Sequence, residues 1–500
     1  MTDLLAADAP PKDSKRWLAL VIMLFAQLMV VLDSTVVNIA MPQAQAALHI
    51  SDANRQWMLT AYTLTFGGLL LLGGRISDYV GRKRMFLIGL VGFALASALG
   101  GLAQNEGMLF GARALQGAFG AVLAPASLSL ITVTFTDVKE RARAFGMLGA
   151  ISGVGAAIGL VMGGWLTQDF SWRWCLFVNI IMAVVAFVGA VPLLTESKAH
   201  GNTKYDIPGA ILATAGLAGL VYGFTNAAKP GQGWLAGETL IFLIGGGVLL
   251  IAFVLVEARV PNPLLPLRVL WHRNRGGSYL ASVFMGAGMF GMFMFFTYYF
   301  QQSLGYSPLK TGLLYLPFTG ALIVTAGAIS PLLPKIGPRI VMTYGSLVAG
   351  GALFWLADLK LDSSYPAMIM PAMLIMAHGM GCVFVPLANT ALTGVADHDA
   401  GVASAMVNTT QQIGGSLGVA LLNTFFTTAT ATYFTAHVGS EGSKVAGALS
   451  AIHGYNVAFE VSGFLLVASA LTIFLLIRRD RAAEGALTGV PAERPVVHVG

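Results

Sequence analysis

Charge is what this sequence has least of. Its 29 lysines and arginines and 23 aspartates and glutamates make up only 10% of 500 residues, where a soluble globular chain carries about 25%. So sparse a polar surface excludes an ordinary water-soluble enzyme. Cysteine is nearly absent too: Cys175 and Cys382 are the only two and both lie in or beside apolar runs, which excludes a disulfide framework or a Cys-rich metal site. No Gly-x-x-x-x-Gly-Lys-Ser/Thr loop occurs, so nothing points to ATP as an energy source. The Gly286-x-Gly288-x-x-Gly291 pattern sits inside an apolar stretch with no strand before it, which removes any dinucleotide meaning. What is abundant is apolar residue: 56% of the chain, with mean hydropathy +0.74. It is gathered into stretches of roughly 20 residues, the length of an α-helix that crosses about 30 Å of hydrocarbon. The chain therefore reads as an all-α polytopic membrane protein. The first apolar run, Trp17–Ala40, is too long for a signal-peptide core and has no small-residue cleavage site, so it is expected to remain as the first span.

Apolar windows broken by charge, Gly and Pro predict fourteen spans, near 17–40, 54–74, 85–104, 108–131, 144–166, 174–194, 208–228, 237–257, 277–301, 311–333, 340–357, 366–390, 402–429 and 455–477. An even number puts both termini on one side. With that side as the cytoplasm, the inner segments hold 22 of the basic residues and the outer ones six, Arg55 among them, while Arg113 stays within a span. The net charge of +6 is then a topology signal of the kind expected at a cytoplasmic membrane face, and nucleic acid is not expected as a partner. The Asp78-Tyr-Val-Gly81-Arg82 segment recurs as Pro334-Lys-Ile-Gly337-Pro-Arg339, 256 residues on. The inner loop at Asp137, leading into Gly153, Gly155 and Gly159, recurs near Asp397, leading into Gly414, Gly415 and Gly418. These repeats predict two six-helix halves, 17–194 and 277–477, with linkers and two inserted helices at 195–276 and tails at 1–16 and 478–500; tandem halves are the architecture of alternating-access transporters.

The segment Gly74-Arg75-Ile-Ser-Asp78-Tyr-Val-Gly81-Arg82-Lys83-Arg84 puts an acid, a turn glycine and three basic residues in a short inner connection. A carboxylate there can take hydrogen bonds from a helix N-terminus and an arginine in one conformation and lose them in another. Its spacing resembles the loop motif of the major facilitator superfamily. Leu32-Asp33-Ser34-Thr35-Val36-Val37-Asn38-Ile39-Ala40-Met41-Pro42 resembles the signature of that superfamily's fourteen-helix drug:proton antiporters, a family of multidrug efflux transporters. Arg113-Ala-Leu-Gln116-Gly117 resembles its coupling-arginine motif. Gly149, Gly153, Gly155, Gly159, Gly163 and Gly164 resemble the exporters' antiporter motif, with small-residue spacing that lets helices approach closely. Leu160 stands where the family has proline, so no proline kink is expected there. Trp172-Arg173-Trp174 and the Tyr205-Asp206-Ile-Pro-Gly segment fit the same family. The resemblance implies the major facilitator fold and proton-coupled efflux, with antibiotic resistance as its consequence and no cofactor beyond a proton gradient.

Ionisable groups inside a span are expensive and so mark function. Asp33, Arg113 and Glu460 are the three that stand well inside. Asp33 and Arg113 are expected at similar depth in the outer half, as a fixed ion pair or as a proton carrier and its partner whose balance changes with conformation; Glu460, near the outer end of the last span, is a weaker coupling candidate. His378 reads as a packing residue and Asp397-His398-Asp399 as an inner loop rather than a metal cluster. The run from Met285 to Phe300, rich in Met, Phe and Tyr, offers adaptable thioethers and rings for apolar or cationic cargo, although lipid-facing filler must account for most of it. Asn38, Tyr62, Gln116, Phe293, Tyr298, Asn389, Asn408, Gln411 and Gln412 are the candidates for the cargo cavity. The reading is a proton-coupled exporter of amphipathic, cationic or aromatic drugs in a bacterial-type inner membrane, multi-pass, working as a monomer. A dedicated exporter of one metabolite, antibiotic or lipid-like molecule is the alternative, and a polytopic membrane enzyme the remote one, lacking a dense polar cluster to support it.

Overall fold

A computed structural model describes residues 15–198, 206–395 and 399–478. The expected tails, and the loop positions Tyr205, Asp397 and His398, lie outside or at the edge of the described residues. The first six long helices are α1 (Lys15–Ala47), α2 (Trp57–Val80), α3 (Arg82–Gly101), α4 (Glu106–Thr134), α5 (Val138–Asp169) and α6 (Trp174–Leu193), and they pack mainly on one another. A helical pair follows, α7 (Ile207–Ala227) and α8 (Gly237–Glu257), of which α7 packs on both α2 and α16 (Ala400–Glu441). After the single turn α9 (Leu267–Leu270) comes α10 (Arg273–Tyr298), which ends in a π-helical turn, Tyr299–Ser303. The second half continues through α11 (Pro308–Leu314), α12 (Leu316–Ile329), α13 (Leu333–Ile336), α14 (Pro338–Leu356), α15 (Met370–Leu392), α16 (Ala400–Glu441) and α17 (Ser443–Leu476). Local sequence sets the starts. Asn105, Asp137, Asp206 and Ser307 each accept a hydrogen bond from an N–H of the following first turn, supplying the partner that an exposed helix N-terminus lacks.

Among the described residues, thirteen spans are long and apolar enough to cross a bilayer. The fourteenth is α16, whose Asn408, Thr409, Thr410, Gln411 and Gln412 lower its hydropathy. It is packed between α2, α10 and α17, so its polar residues are carried inside the bundle. The apolar outer faces remain exposed, as at Leu95, Val188 and Ile241, which is the arrangement for a lipid surround. Two boundaries differ from the sequence expectation. Residues 430–454, expected as a loop, are helical apart from a break at Gly442, so the 42 residues of α16 run about 63 Å, twice the hydrocarbon thickness. The α5 helix is unbroken from Val138 to Asp169, in keeping with the absence of proline at Leu160.

The internal repeat is visible in the backbone. Gly81, between α2 and α3, has φ +134°, and Gly337, between α13 and α14, has φ +89°; both corners need a residue without a Cβ. Each half then repeats one close helix crossing: a Cβ on Gly89 would meet Leu123, and one on Gly345 would meet Gly379. Both members of the second pair lie 256 residues beyond the first.

Hydrogen bonds between the halves gather at the end of the bundle farthest from Lys15 and Leu476, here called the distal end, while α2 and α16 also pack on each other at mid-bundle, Gly67 against Gln412. Among the described residues, every direct hydrogen bond between the halves joins residues 38–56 to Thr297, Gln301 or Asn423. A Cβ on Gly164 would fall 2.5 Å from the carbonyl oxygen of Pro308, and one on Gly312 would fall 2.3 Å from that of Leu160. Nearer the start of α5, Gly146 and Gly149 have no neighbour within 4 Å. The distal ends are closed.

Candidate functional site

Asp33, at mid-helix in α1, is wholly buried, as is Arg113 of α4. Arg113 Nη1 donates to Asp33 Oδ2 at 2.6 Å and to Gln116 Oε1 at 2.8 Å. Gln116 Nε2 donates to Asp33 Oδ1 at 3.0 Å and to Ser97 Oγ at 2.6 Å. From α6, Asn179 Nδ2 donates to Asp33 Oδ1 at 2.7 Å. Arg113 Nε donates to the Met58 carbonyl at 3.0 Å, and its guanidinium lies 4.5 Å over the Tyr62 ring. Five helices of the first half, α1, α2, α3, α4 and α6, thus contribute to the surroundings of one ion pair. Removing one member of such a pair strands the other charge at a cost of about 3–5 kcal/mol. Three of these hydrogen bonds end on the Asp33 carboxylate. Among the described residues, Arg113 Nη2 and Asn179 Oδ1 have no hydrogen-bond partner, so the cage is not fully satisfied in this conformation.

Asn179 and Ser97 were not singled out from sequence. Both are uncharged polar residues in apolar spans, and their cost inside a membrane was the available signal. Glu460 is not brought to the cluster: it is exposed on α17 and, among the described residues, has no hydrogen bond or ion pair. His378 lies beside Thr325 (3.3 Å) and the half-exposed Tyr344 (3.4 Å).

Across the Gly81 corner, Asp78 in the last turn of α2 pairs with Arg82 at the start of α3 at 2.9 Å. The carboxylate that caps α3 comes from elsewhere: Glu196, beyond α6, accepts from the backbone N–H groups of Lys83 and Arg84 at 3.1 and 3.0 Å. A Cβ at Gly81 would fall 2.8 Å from that carboxyl group. Arg75 is turned to the linker after α8, donating to the carbonyls of Asn262 (2.9 Å) and Pro263. That linker is also tied to the second half, where Arg268 donates twice to Asp399 at 2.9 Å; this pairing raises the guanidinium's proton affinity above its ordinary value.

The antiporter-motif glycines divide by neighbour. A Cβ on Gly155, Gly159 or Gly163 would strike Leu28, Thr35 or Val36 of α1, so these hold α5 against the helix that carries Asp33. Gly164 faces α11, and Gly153 meets only Ile323. Of the cavity candidates, Asn38 accepts from Thr297 Oγ1 at 2.7 Å, while Gln412 lies against Gly67. Gln411 is half-buried, and Asn389 and Asn408 are exposed. The Met/Phe/Tyr helix α10 is not chiefly lipid filler. Phe295, Phe296 and Tyr298 are wholly buried, with Phe295 stacked on Phe426 at 5.5 Å and half-buried Phe293 against Tyr315 at 5.1 Å.

Residues 23–419 match the sequence profile of the Major Facilitator Superfamily. The chain belongs to this superfamily. It is 46% identical over 488 residues to the puromycin resistance protein pur8 of Streptomyces alboniger, covering 96% of this chain and 95% of that one. It is 38% identical to the cephamycin export protein CmcT of Amycolatopsis lactamdurans, covering 83% and 85%. Among solved structures, the peptide transporter POT in complex with sulfate superposes with a TM-score of 0.64 at 15% identity, covering 92% and 95%. An inward-facing, unoccupied bacterial homologue of the lysosomal transporter Spinster superposes with a TM-score of 0.61 at 17% identity, covering 96% and 99%. These two likenesses concern the fold alone. This facilitator is a multi-pass secondary efflux transporter and not an enzyme. Among its described residues, no three His, Cys, Asp or Glu side chains are grouped as a metal site.

Proposed function

We propose that this transporter exports amphipathic, cationic or aromatic small molecules in exchange for protons. The observation that carries this reading is the wholly buried Asp33–Arg113 pair, completed by Gln116 and Asn179. An ionised Asp33 holds α1, α4 and α6 together. A protonated Asp33 loses its charge interaction with Arg113 and releases them, so protonation is coupled to helix packing. Glycine contacts carry that packing from α1 to α5, which meets the second half at the distal end. Because Asp33 is enclosed within the first half, we infer that cargo acts on it through α1 and α4 and not by direct contact in this state.

With both termini in the cytoplasm, as the basic-residue asymmetry supports, the distal end is the exterior and this conformation is inward-facing. The halves are 17–194 and 277–477, the transporter acts as a monomer, and a proton gradient takes the place of any cofactor. A dedicated exporter of one antibiotic is the second reading, favoured by relatives named for puromycin, cephamycin and lincomycin. Purified protein in sealed vesicles, given a pH gradient and a panel of cationic dyes and antibiotics that includes puromycin, separates the two. Gradient-driven movement of several chemically distinct cations is expected. Movement of one compound alone establishes the dedicated exporter, and equal movement with the gradient collapsed contradicts proton coupling.

A further inference from the structure

Arg55 precedes α2 in what the sequence marks as an exterior connection, yet only 1% of it is exposed. Its guanidinium is clamped between two rings of the second half, 4.2 Å from the centroid of Tyr298 and 4.3 Å from that of Phe426. Nε donates to Asn423 Oδ1 at 3.0 Å. Among the described residues, the nearest carboxylate, Asp52, stands 3.7 Å away with a largely exposed side chain, and Nη2 has no hydrogen-bond partner. A buried guanidinium is normally matched by a carboxylate. Here two aromatic faces and one carboxamide oxygen do most of that work, with the Tyr455 ring packed at a tilt against Phe426, centroids 4.9 Å apart. The cage belongs to α10 and α16, and its occupant belongs to the first half, so any movement that parts the distal ends must withdraw Arg55 and leave the cage open.

We propose that Tyr298, Phe426 and Asn423 form a cation subsite at the distal exit, filled by the protein's own Arg55 when the exit is closed and by an organic cation of the cargo when it is open. The identity of the occupant rests on the reading of the cargo as cationic. The mutual exclusion follows from the geometry, since one guanidinium already fills the space between the rings. Return of Arg55 displaces the cargo cation from the cage and closes the exit, while the direction of net transport stays with the proton gradient.

The test uses the purified full-length transporter in detergent, with ethidium as the planar cation and methylguanidinium as a mimic of the Arg55 head group. Arg55→Ala is expected to bind ethidium about tenfold more tightly than the wild type, the scale of one desolvated cation–ring contact. Adding Phe426→Ala should abolish the gain. Methylguanidinium should displace ethidium from Arg55→Ala and not from the wild type, and it should raise the Tm of Arg55→Ala alone. If Arg55→Ala does not fold, Arg55→Lys serves, because an ammonium cannot cover both rings and keep the Asn423 bond; its ethidium affinity should exceed that of the wild type. Equal ethidium affinity in the wild type and the folded variant, or a gain that survives Phe426→Ala, overturns the proposal. Stabilisation by methylguanidinium with no change for ethidium overturns the cargo assignment. A failure of proton-driven ethidium transport by wild-type vesicles overturns the proposed function instead, and is read in that separate assay.

Discussion

Gly312 and Gly164 offer a direct handle on the balance between the two access states. A Cβ on Gly312 would fall 2.3 Å from the Leu160 oxygen and 2.9 Å from its carbonyl carbon, both in the backbone of α5. One on Gly164 would fall 2.5 Å from the Pro308 oxygen and 2.7 Å from Leu309 Cα. Neither neighbour is a side chain that can swing away, so in Gly312→Ala the helices α5 and α11 must separate. Overpacking of this kind costs about 1–3 kcal/mol, and because parting the distal ends relieves it, the ratio of closed to open should fall about 5- to 150-fold. A cysteine pair in place of Asn38 and Thr297, whose side chains are 2.7 Å apart, reports closure by cross-linking, and the native Cys175 and Cys382 are buried. Cross-linking should drop in Gly312→Ala and in Gly164→Ala. It should not change in Gly149→Ala or Gly320→Ala, where nothing lies within 4 Å. Undiminished cross-linking in both contact variants, or an equal drop in the two controls, refutes the reasoning.

Asp78→Asn should lower efflux at matched membrane abundance by removing the partner of Arg82; unchanged efflux would leave Asp78 a topological anchor. Glu196→Gln should weaken the α3 cap by about 0.3–1 kcal/mol, seen as a lower Tm, and an unchanged Tm would deny it that role. Asn179→Leu removes a hydrogen bond to a buried carboxylate, worth about 1.5–3 kcal/mol. It should reduce gradient-driven transport more than equilibrium binding of cargo, and an equal loss of both would make Asn179 merely structural. Reporter fusions after residues 200 and 480 should read cytoplasm and one after 170 the exterior; an exterior signal at 480 contradicts the topology.

Most of the fold was legible because hydrocarbon imposes a length and a composition on each span. The repeat was legible because its corners need glycine, as Gly81 and Gly337 show. The helix α16 strained that logic, since its Asn408–Gln412 segment is polar yet carried inside the bundle. The Asp33–Arg113 pairing could be anticipated because two unmatched charges at similar depth have few alternatives. Gln116 also proved to belong to that pair's shell, although it was expected in the cargo cavity. Glu196 escaped notice because its partners lie more than 110 residues away and are backbone groups. Arg55 was counted only as one of the six basic residues on the outer side, because sequence shows its position beside a span end and not its neighbours. Only the tertiary approach of Tyr298 and Phe426 reveals that it is buried.

The most direct measurement follows protons released on cargo binding, with the purified transporter in weakly buffered detergent and a pH-sensitive dye, for the wild type and Asp33→Asn. The asparagine keeps the size of the side chain and one acceptor oxygen toward Arg113 but cannot titrate. The wild type should release protons when a cationic substrate binds, and Asp33→Asn should bind that substrate without release and fail to accumulate it under a pH gradient. Proton release of wild-type size from Asp33→Asn would contradict the account and move the coupling site elsewhere.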